Sequence, residues 1–156
     1  MSPFVEQLLT EFTRPLPKAD LGDECLAAEE AILKFRDTGE GDPEIVPELV
    51  DVDLSAEDIS ALASALRTFI VSHPSHEWVG AAIWAMSKLN DVQLIPFFME
   101  QIRPHYSARR EHPVSQADYA LCRLGHDTPF NYWSEDRTTE NYWLAVEQFL
   151  MRHQQT

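Results

Sequence analysis

The stretch that decides the fold runs from Val79 to Phe98 and reads VGAAIWAMSKLNDVQLIPFF. Its apolar residues recur every three to four positions, which is the spacing of one face of an α-helix. Asn90-Asp91 interrupts this spacing and is typical of a turn, and Ile95-Pro96 lies at the start of a second helical segment. Proline fits there because the first amides of a helix have no partner within the helix. The stretch therefore predicts a helical hairpin.

The rest of the chain shows the same helical spacing, and no segment alternates as a strand does. Ser55 is expected to cap one helix, with Asp58 in its first turn, and Ser75 is expected to cap the next. Helix ends are expected at Gly39 and Gly41, at Pro104 and at Gly125. The predicted helices lie near 3–13, 23–36, 55–73, 76–89, 92–103, 114–124 and 139–152.

A repeat with an offset of 35 residues runs through this helical pattern. Residues 79–89, VGAAIWAMSKL, match residues 114–124, VSQADYALCRL, at the valine, at two alanines and at the final leucine. A weaker match at the same offset sets Ile59 and Leu62 against Leu94 and Phe97. A fixed period of this length is typical of stacked helical hairpins.

The segment 79–98 resembles a HEAT-type repeat. Such repeats have a first helix with small residues and a leucine near its end, then an Asn-Asp turn, then an Ile-Pro pair. Ala81, Ala82 and Ala85, followed by Leu89, carry the first part of this resemblance. The resemblance implies an all-α fold: a right-handed stack of antiparallel helical hairpins, or α-solenoid, with about six to seven helices. Together with the length of 156 residues it predicts one domain over 1–156.

Composition restricts the function classes. The net charge is −14, and residues 1–75 carry 16 acidic and 5 basic side chains. Nucleic acids and anionic membranes are poor partners for such a chain, because both bind clustered lysine and arginine. Cys25 and Cys122 lie in apolar helical patterns and are expected to be buried free thiols, as suits a reducing cytoplasm. The N-terminal residues have no signal-peptide pattern, so we expect a cytoplasmic protein.

Acidic residues concentrate between positions 37 and 58, and no lysine or arginine occurs from 37 to 66. We expect a loop at 37–54. One interpretation is a solvated acidic loop, because charge runs usually have that role. The other is a docking surface for a cationic partner, since complementary charge accelerates association. The candidate contact residues are Asp42, Glu44, Glu48, Asp51 and Asp53.

A second candidate contact region is an aromatic loop at 126–137. It contains Asn131-Tyr132-Trp133, and the same triplet recurs at 141–143. The loop could fold back to cap the core, because large aromatic side chains are mostly buried. Alternatively, Tyr132 and Trp133 could form an exposed binding patch, where tyrosine and tryptophan are enriched.

The sequence carries no recognisable catalytic or metal-binding pattern. The His-Glu-x-x-His motif is absent, and the five glycines form neither a nucleophile elbow nor a phosphate loop. The histidines are expected to be exposed or to cap helices. We therefore expect neither an enzyme, nor a cofactor, nor a metal site.

These observations favour a protein that binds another macromolecule. The first hypothesis is an acidic inhibitor or immunity protein that neutralises a basic protein, such as a bacterial toxin. The second is a HEAT-like scaffold that binds a protein through its concave face and the 130–133 aromatics. The third is a small helical enzyme or cofactor-handling protein. The oligomeric state stays open.

Overall fold

The structure is a computed structural model that describes residues 1–154. These residues form seven α-helices and no strand, which confirms the all-α prediction. The helices are α1 (Pro3–Phe12), α2 (Gly22–Arg36), α3 (Ala56–Ser72), α4 (Val79–Ser87), α5 (Ile95–Ser107), α6 (Glu111–Arg123) and α7 (Thr139–Arg152).

The chain divides into two compact units, of which the first is Met1–Leu89 and the second begins at Asn90. In the first unit α2 packs against α3 and α4, and α3 also packs against α1 and α4. Its core is apolar and aromatic: the rings of Phe12 and Phe69 lie 5.7 Å apart, and Leu62 and Ile83 are fully buried. Burial of this apolar surface is the main force that holds the helices together.

The second unit is built on the antiparallel pair α5 and α6, joined by a short turn. α7 packs against α5 and against a 3₁₀ turn at Pro129–Tyr132. Phe98, Leu121 and Phe149 fill its core. The HEAT-like stack and the single domain over 1–156 stay predictions.

The two stretches that match at an offset of 35 residues bury the same matched valine and alanine positions, each within its own unit. Val79 and Val114 are buried, and so are the two matched alanine pairs. Trp84 and Tyr119 occupy equivalent positions and are more exposed. The repeat in sequence therefore corresponds to the same buried helix face in α4 and α6.

Two expected helix boundaries are confirmed. Ser55 Oγ accepts a hydrogen bond from the Asp58 amide at 3.1 Å, and Asp58 Oδ2 accepts one from the Ser55 amide at 2.9 Å. This is a capping box. Gly125 has a φ of 72° after α6, where glycine has no steric penalty. The amide of His126 donates to the carbonyl of Leu121, which completes a Schellman motif.

Three residues expected to begin or end a helix were wrong, although α2 does end at Arg36 as expected. Pro104 lies within α5, which continues to Ser107, because a proline removes only its own amide, and the Pro104 carbonyl still accepts a hydrogen bond from the Ala108 amide at 3.1 Å. Ser75 does not cap α4; instead His76 Nδ1 accepts a hydrogen bond from the Trp78 amide at 3.0 Å. The residue that ends α2 in the left-handed conformation is Asp37, with a φ of 53°, rather than a glycine.

Candidate functional site

The acidic segment, residues 37–54, has a defined backbone. Two 3₁₀ turns, Pro43–Ile45 and Pro47–Leu49, follow one another in its middle. Proline at the first position of each turn fixes its φ angle and favours the start of the turn. Val46 and Leu49 are buried and attach the segment to the first unit.

Lys34 on α2 holds the C-terminal part of the acidic segment. Its Nζ donates hydrogen bonds to the carbonyl oxygen of Leu49 at 2.5 Å and to that of Val52 at 2.7 Å. An ammonium group has three donors, so one lysine can bind several carbonyl groups of a curved chain. The positive charge of Lys34 is therefore used to hold backbone and does not pair with the exposed carboxylates.

Glu30 and Gly41 hold the N-terminal part of the acidic segment against α2. Glu30 Oε2 accepts a hydrogen bond from the Asp42 amide at 2.9 Å. Burial raises the pKa of the Glu30 carboxyl, and the Asp42 amide opposes this rise. At Gly41 a Cβ would lie 2.7 Å from Leu33 Cβ, so only glycine allows the chain to pass this close.

All five acidic contact residues expected from the sequence are exposed. The Asp42 carboxylate accepts a hydrogen bond from the Glu44 amide at 3.1 Å, which begins the first 3₁₀ turn. The segment thus has its hydrogen-bonded backbone on α2 and its carboxylates in solvent. Such an arrangement presents negative charge without first having to order a loop. The exposed residues are Asp42, Glu44, Glu48, Asp51 and Asp53.

A groove of about 380 Å³ lies beside the acidic segment in the first unit, and we call it the acidic groove. Residues of α1, of α2 and of the stretch 45–48 line it. Seven of its twelve lining residues are apolar, four are acidic and none is basic. The lining residues are Phe4, Gln7, Leu8, Glu11, Asp23, Glu24, Leu26, Ala27, Ile45, Val46, Pro47 and Glu48.

The aromatic loop, residues 126–137, folds back onto the second unit. The Tyr132 hydroxyl donates a hydrogen bond to Asp127 Oδ2 at 2.6 Å. The Trp133 ring lies 4.9 Å from the Tyr142 ring and 5.8 Å from the Phe130 ring. Both candidate contact residues of this loop are half-buried and packed within their own unit. This packing is what the interpretation of a loop that caps the core leads one to expect, and a binding role of Tyr132 and Trp133 stays a prediction.

A buried aspartate on α6, which the sequence reasoning missed, anchors the aromatic loop. Asp118 is fully buried, and its carboxylate accepts hydrogen bonds from the hydroxyls of Thr128 and Tyr142, the latter at 2.8 Å. The Phe130 amide is a third donor, at 3.3 Å. Burial raises the pKa of Asp118 to about 6, although these donors oppose the rise. Asp118 follows buried Ala117 in the sequence, so an acid on an apolar helix face was the available signal.

Asp127 is the centre of a second polar cluster in the same unit. It accepts hydrogen bonds from Asn131 at 2.8 Å, from Tyr132 and from His153 Nε2 at 2.7 Å. Burial would raise the pKa of Asp127, but these donors together lower it below its usual range. The His126 and His153 rings, 5.6 Å apart, line a cleft of about 930 Å³ together with residues of α5 and α7. A carboxylate that orients an imidazole in this way can support proton transfer.

Two further expectations were wrong. His105 is buried rather than exposed, and burial, aided by the nearby Arg110, lowers its pKa to about 4. Cys122 is exposed rather than buried, because it lies on the solvent side of α6. Cys25 is buried as expected, and burial raises its pKa to about 12, so its thiol is unreactive.

Among residues 1–154 no group of three histidine, cysteine or acidic side chains is arranged to hold a metal ion. Within the same residues, every helix is too short or too polar to cross a membrane. No family model matches the chain, and no curated protein and no solved structure matches it either.

Proposed function

We propose that this protein binds and neutralises a basic protein, such as a bacterial toxin, through the acidic segment. The observation that carries the proposal is the ordered backbone of residues 37–54 beneath five exposed carboxylates. A partner that uses lysine and arginine to hold nucleic acid would present the complementary surface. Covering that surface would block the partner's access to its substrate.

Order in the acidic segment favours tight association. A flexible acidic loop would lose conformational entropy when a partner bound it. Here Lys34, Glu30 and the buried Leu49 already hold the segment in place. The mutual repulsion of the carboxylates destabilises the free protein, and a cationic partner relieves this repulsion.

The two alternative functions have less support. A scaffold that binds through Tyr132 and Trp133 would have to use side chains already engaged with Asp127 and Tyr142. A small enzyme could use the His153–Asp127 pair beside the cleft of about 930 Å³, but this pair alone does not indicate a substrate class.

Salt dependence tests the proposal. The protein, immobilised by one terminus, is used to capture basic proteins from extracts of the native organism, and the affinity of each captured protein is measured at rising salt. We expect the affinity to fall steeply, because salt screens exposed charges beyond about 10 Å at 0.1 M. Salt-insensitive binding by every captured protein would refute the electrostatic contact.

A further inference from the structure

We propose that the acidic groove is the socket for one apolar side chain of the basic partner, with lysine or arginine residues on both sides of it. This inference rests on the proposed function and specifies its contact. It goes beyond the exposed carboxylates, because it assigns a role to α1 and α2.

The walls of the groove expose apolar surface beside the acidic residues. Leu26 on α2 is 37% exposed, and Ile45 in the first 3₁₀ turn is 54% exposed. Leu8 and Val46 lie deeper and are buried. A volume of about 380 Å³ corresponds to roughly a dozen water molecules at liquid density, so one large side chain fits. Displacing this water from apolar walls favours binding.

The acidic residues that line the groove favour a basic ligand. Two of the acidic residues already have cations beside them: Arg14 Nη2 lies 2.8 Å from Glu11 Oε1, and Lys18 pairs with Glu24. Asp23 and Glu48 are exposed and have no side-chain partner among residues 1–154. They are therefore available to pair with cations of a ligand.

Two synthetic lysine-rich peptides of equal length and charge test the socket. One has a central leucine and the other a central serine, and both are titrated into the full-length protein while amide resonances are followed by NMR. We expect the leucine peptide to bind about tenfold more tightly, because only it buries apolar area in the groove. We also expect the largest shifts at Ala27 and Ile45, which line the groove.

Matched variants test whether the preference for the leucine peptide arises in the acidic groove. Ile45→Ser should abolish the preference for the leucine peptide, and Leu26→Ser should do the same. Val71→Ser removes an apolar side chain of similar exposure from α3, outside the groove, and should keep the preference. An Ile45→Ser variant that retained the preference would overturn the socket.

The outcomes separate the socket from the proposed function. Equal, salt-sensitive binding of both peptides would overturn the socket and leave the electrostatic contact standing. Binding of neither peptide would also overturn the socket, and the captured basic partner would still test the proposed function.

Discussion

The acidic segment and the aromatic loop are both irregular stretches between helices, yet they use their polar groups in opposite ways. The acidic segment turns its backbone toward α2 and its carboxylates toward solvent. The first half of the aromatic loop instead satisfies polar groups internally: the Phe130 amide donates to the carboxylate of Asp118, and the Tyr132 hydroxyl donates to that of Asp127. The difference shows that a candidate binding loop must be judged by where its side-chain donors and acceptors are satisfied.

The largest expected effect lies in the aromatic loop. Asp118→Ala removes the side-chain acceptor of the Tyr142 hydroxyl and of the Phe130 amide, whereas the Thr128 hydroxyl keeps the backbone carbonyl oxygen of residue 118 as an acceptor. We expect the free energy of unfolding to fall by about 3 kcal/mol, since each buried donor without a partner costs about 1–3 kcal/mol. Urea unfolding at pH 7, followed by amide hydrogen exchange in α7, measures this loss. An unchanged stability would mean that Asp118 does not anchor the loop.

The buried carboxyl of Asp118 should also make the stability of the protein depend on pH. The pKa of Asp118 rises from 3.8 to about 6 on folding, so the folded state binds the proton more tightly. The resulting stabilisation is complete below pH 4 and is lost as the pH rises through 6. Across this range the free energy of unfolding should fall by about 3 kcal/mol, because each pKa unit corresponds to roughly 1.4 kcal/mol.

Asp118→Asn tests this assignment, because the amide can accept from Thr128 and donate to Tyr142 but cannot ionise. The difference in stability between the native protein and this variant should therefore change between pH 4 and pH 8. Asp136→Asn, at an exposed site in the same unit, is the control. If the native protein and Asp118→Asn have parallel stability profiles, another group is responsible.

Trp133→Ala should next distinguish a core role from a contact role. Because Trp133 packs on Phe130 and Tyr142, we expect a stability loss of about 2 kcal/mol and partner affinity within about twofold of the native value. Leu144→Ala on the exposed side of α7 should change stability by less than about 0.5 kcal/mol. Lost affinity in a stable Trp133→Ala protein would favour the scaffold alternative.

A smaller effect is expected where Lys34 holds the acidic segment. Lys34→Met removes the donors to Leu49 and Val52, at a cost of about 1 kcal/mol. The loss should be local, so the amides of Val50 and Val52 should exchange faster with solvent. Lys18→Met removes the same charge from an exposed pair with Glu24 and should leave their exchange unchanged. Equal exchange in both variants would mean that the segment is held by other contacts.

The features that the sequence predicts correctly depend on residues within a few positions of one another. Helix periodicity, the Ser55–Asp58 capping box and the Gly125 helix end belong to this class. The exposure of the five acidic residues also follows from their local charge. Ser75, which was expected to cap α4, is an exception: no side chain caps α4, and the His76 ring accepts the amide of Trp78, the residue before the helix.

The features that could not be predicted join residues that are far apart in the chain. Lys34 reaches Val52, 18 residues away, and Asp118 reaches Tyr142, 24 residues away. The acidic groove needs α1, α2 and the stretch 45–48 in their folded positions. Such contacts depend on tertiary packing, which the hydrophobic pattern of one helix does not specify.

The association rate of the captured basic partner tests the central claim most directly. In one variant Glu48, Asp51 and Asp53 are replaced by lysine. In the matched control Glu135, Glu140 and Glu147, all exposed in the second unit, are replaced by lysine, so that net charge changes equally.

At about 0.1 M salt, where screening confines charge effects to about 10 Å, we expect the first variant to associate about tenfold more slowly than the native protein. We expect the control to associate within about twofold of the native rate. Equal rates in the two variants would contradict the claim that the acidic segment is the contact surface.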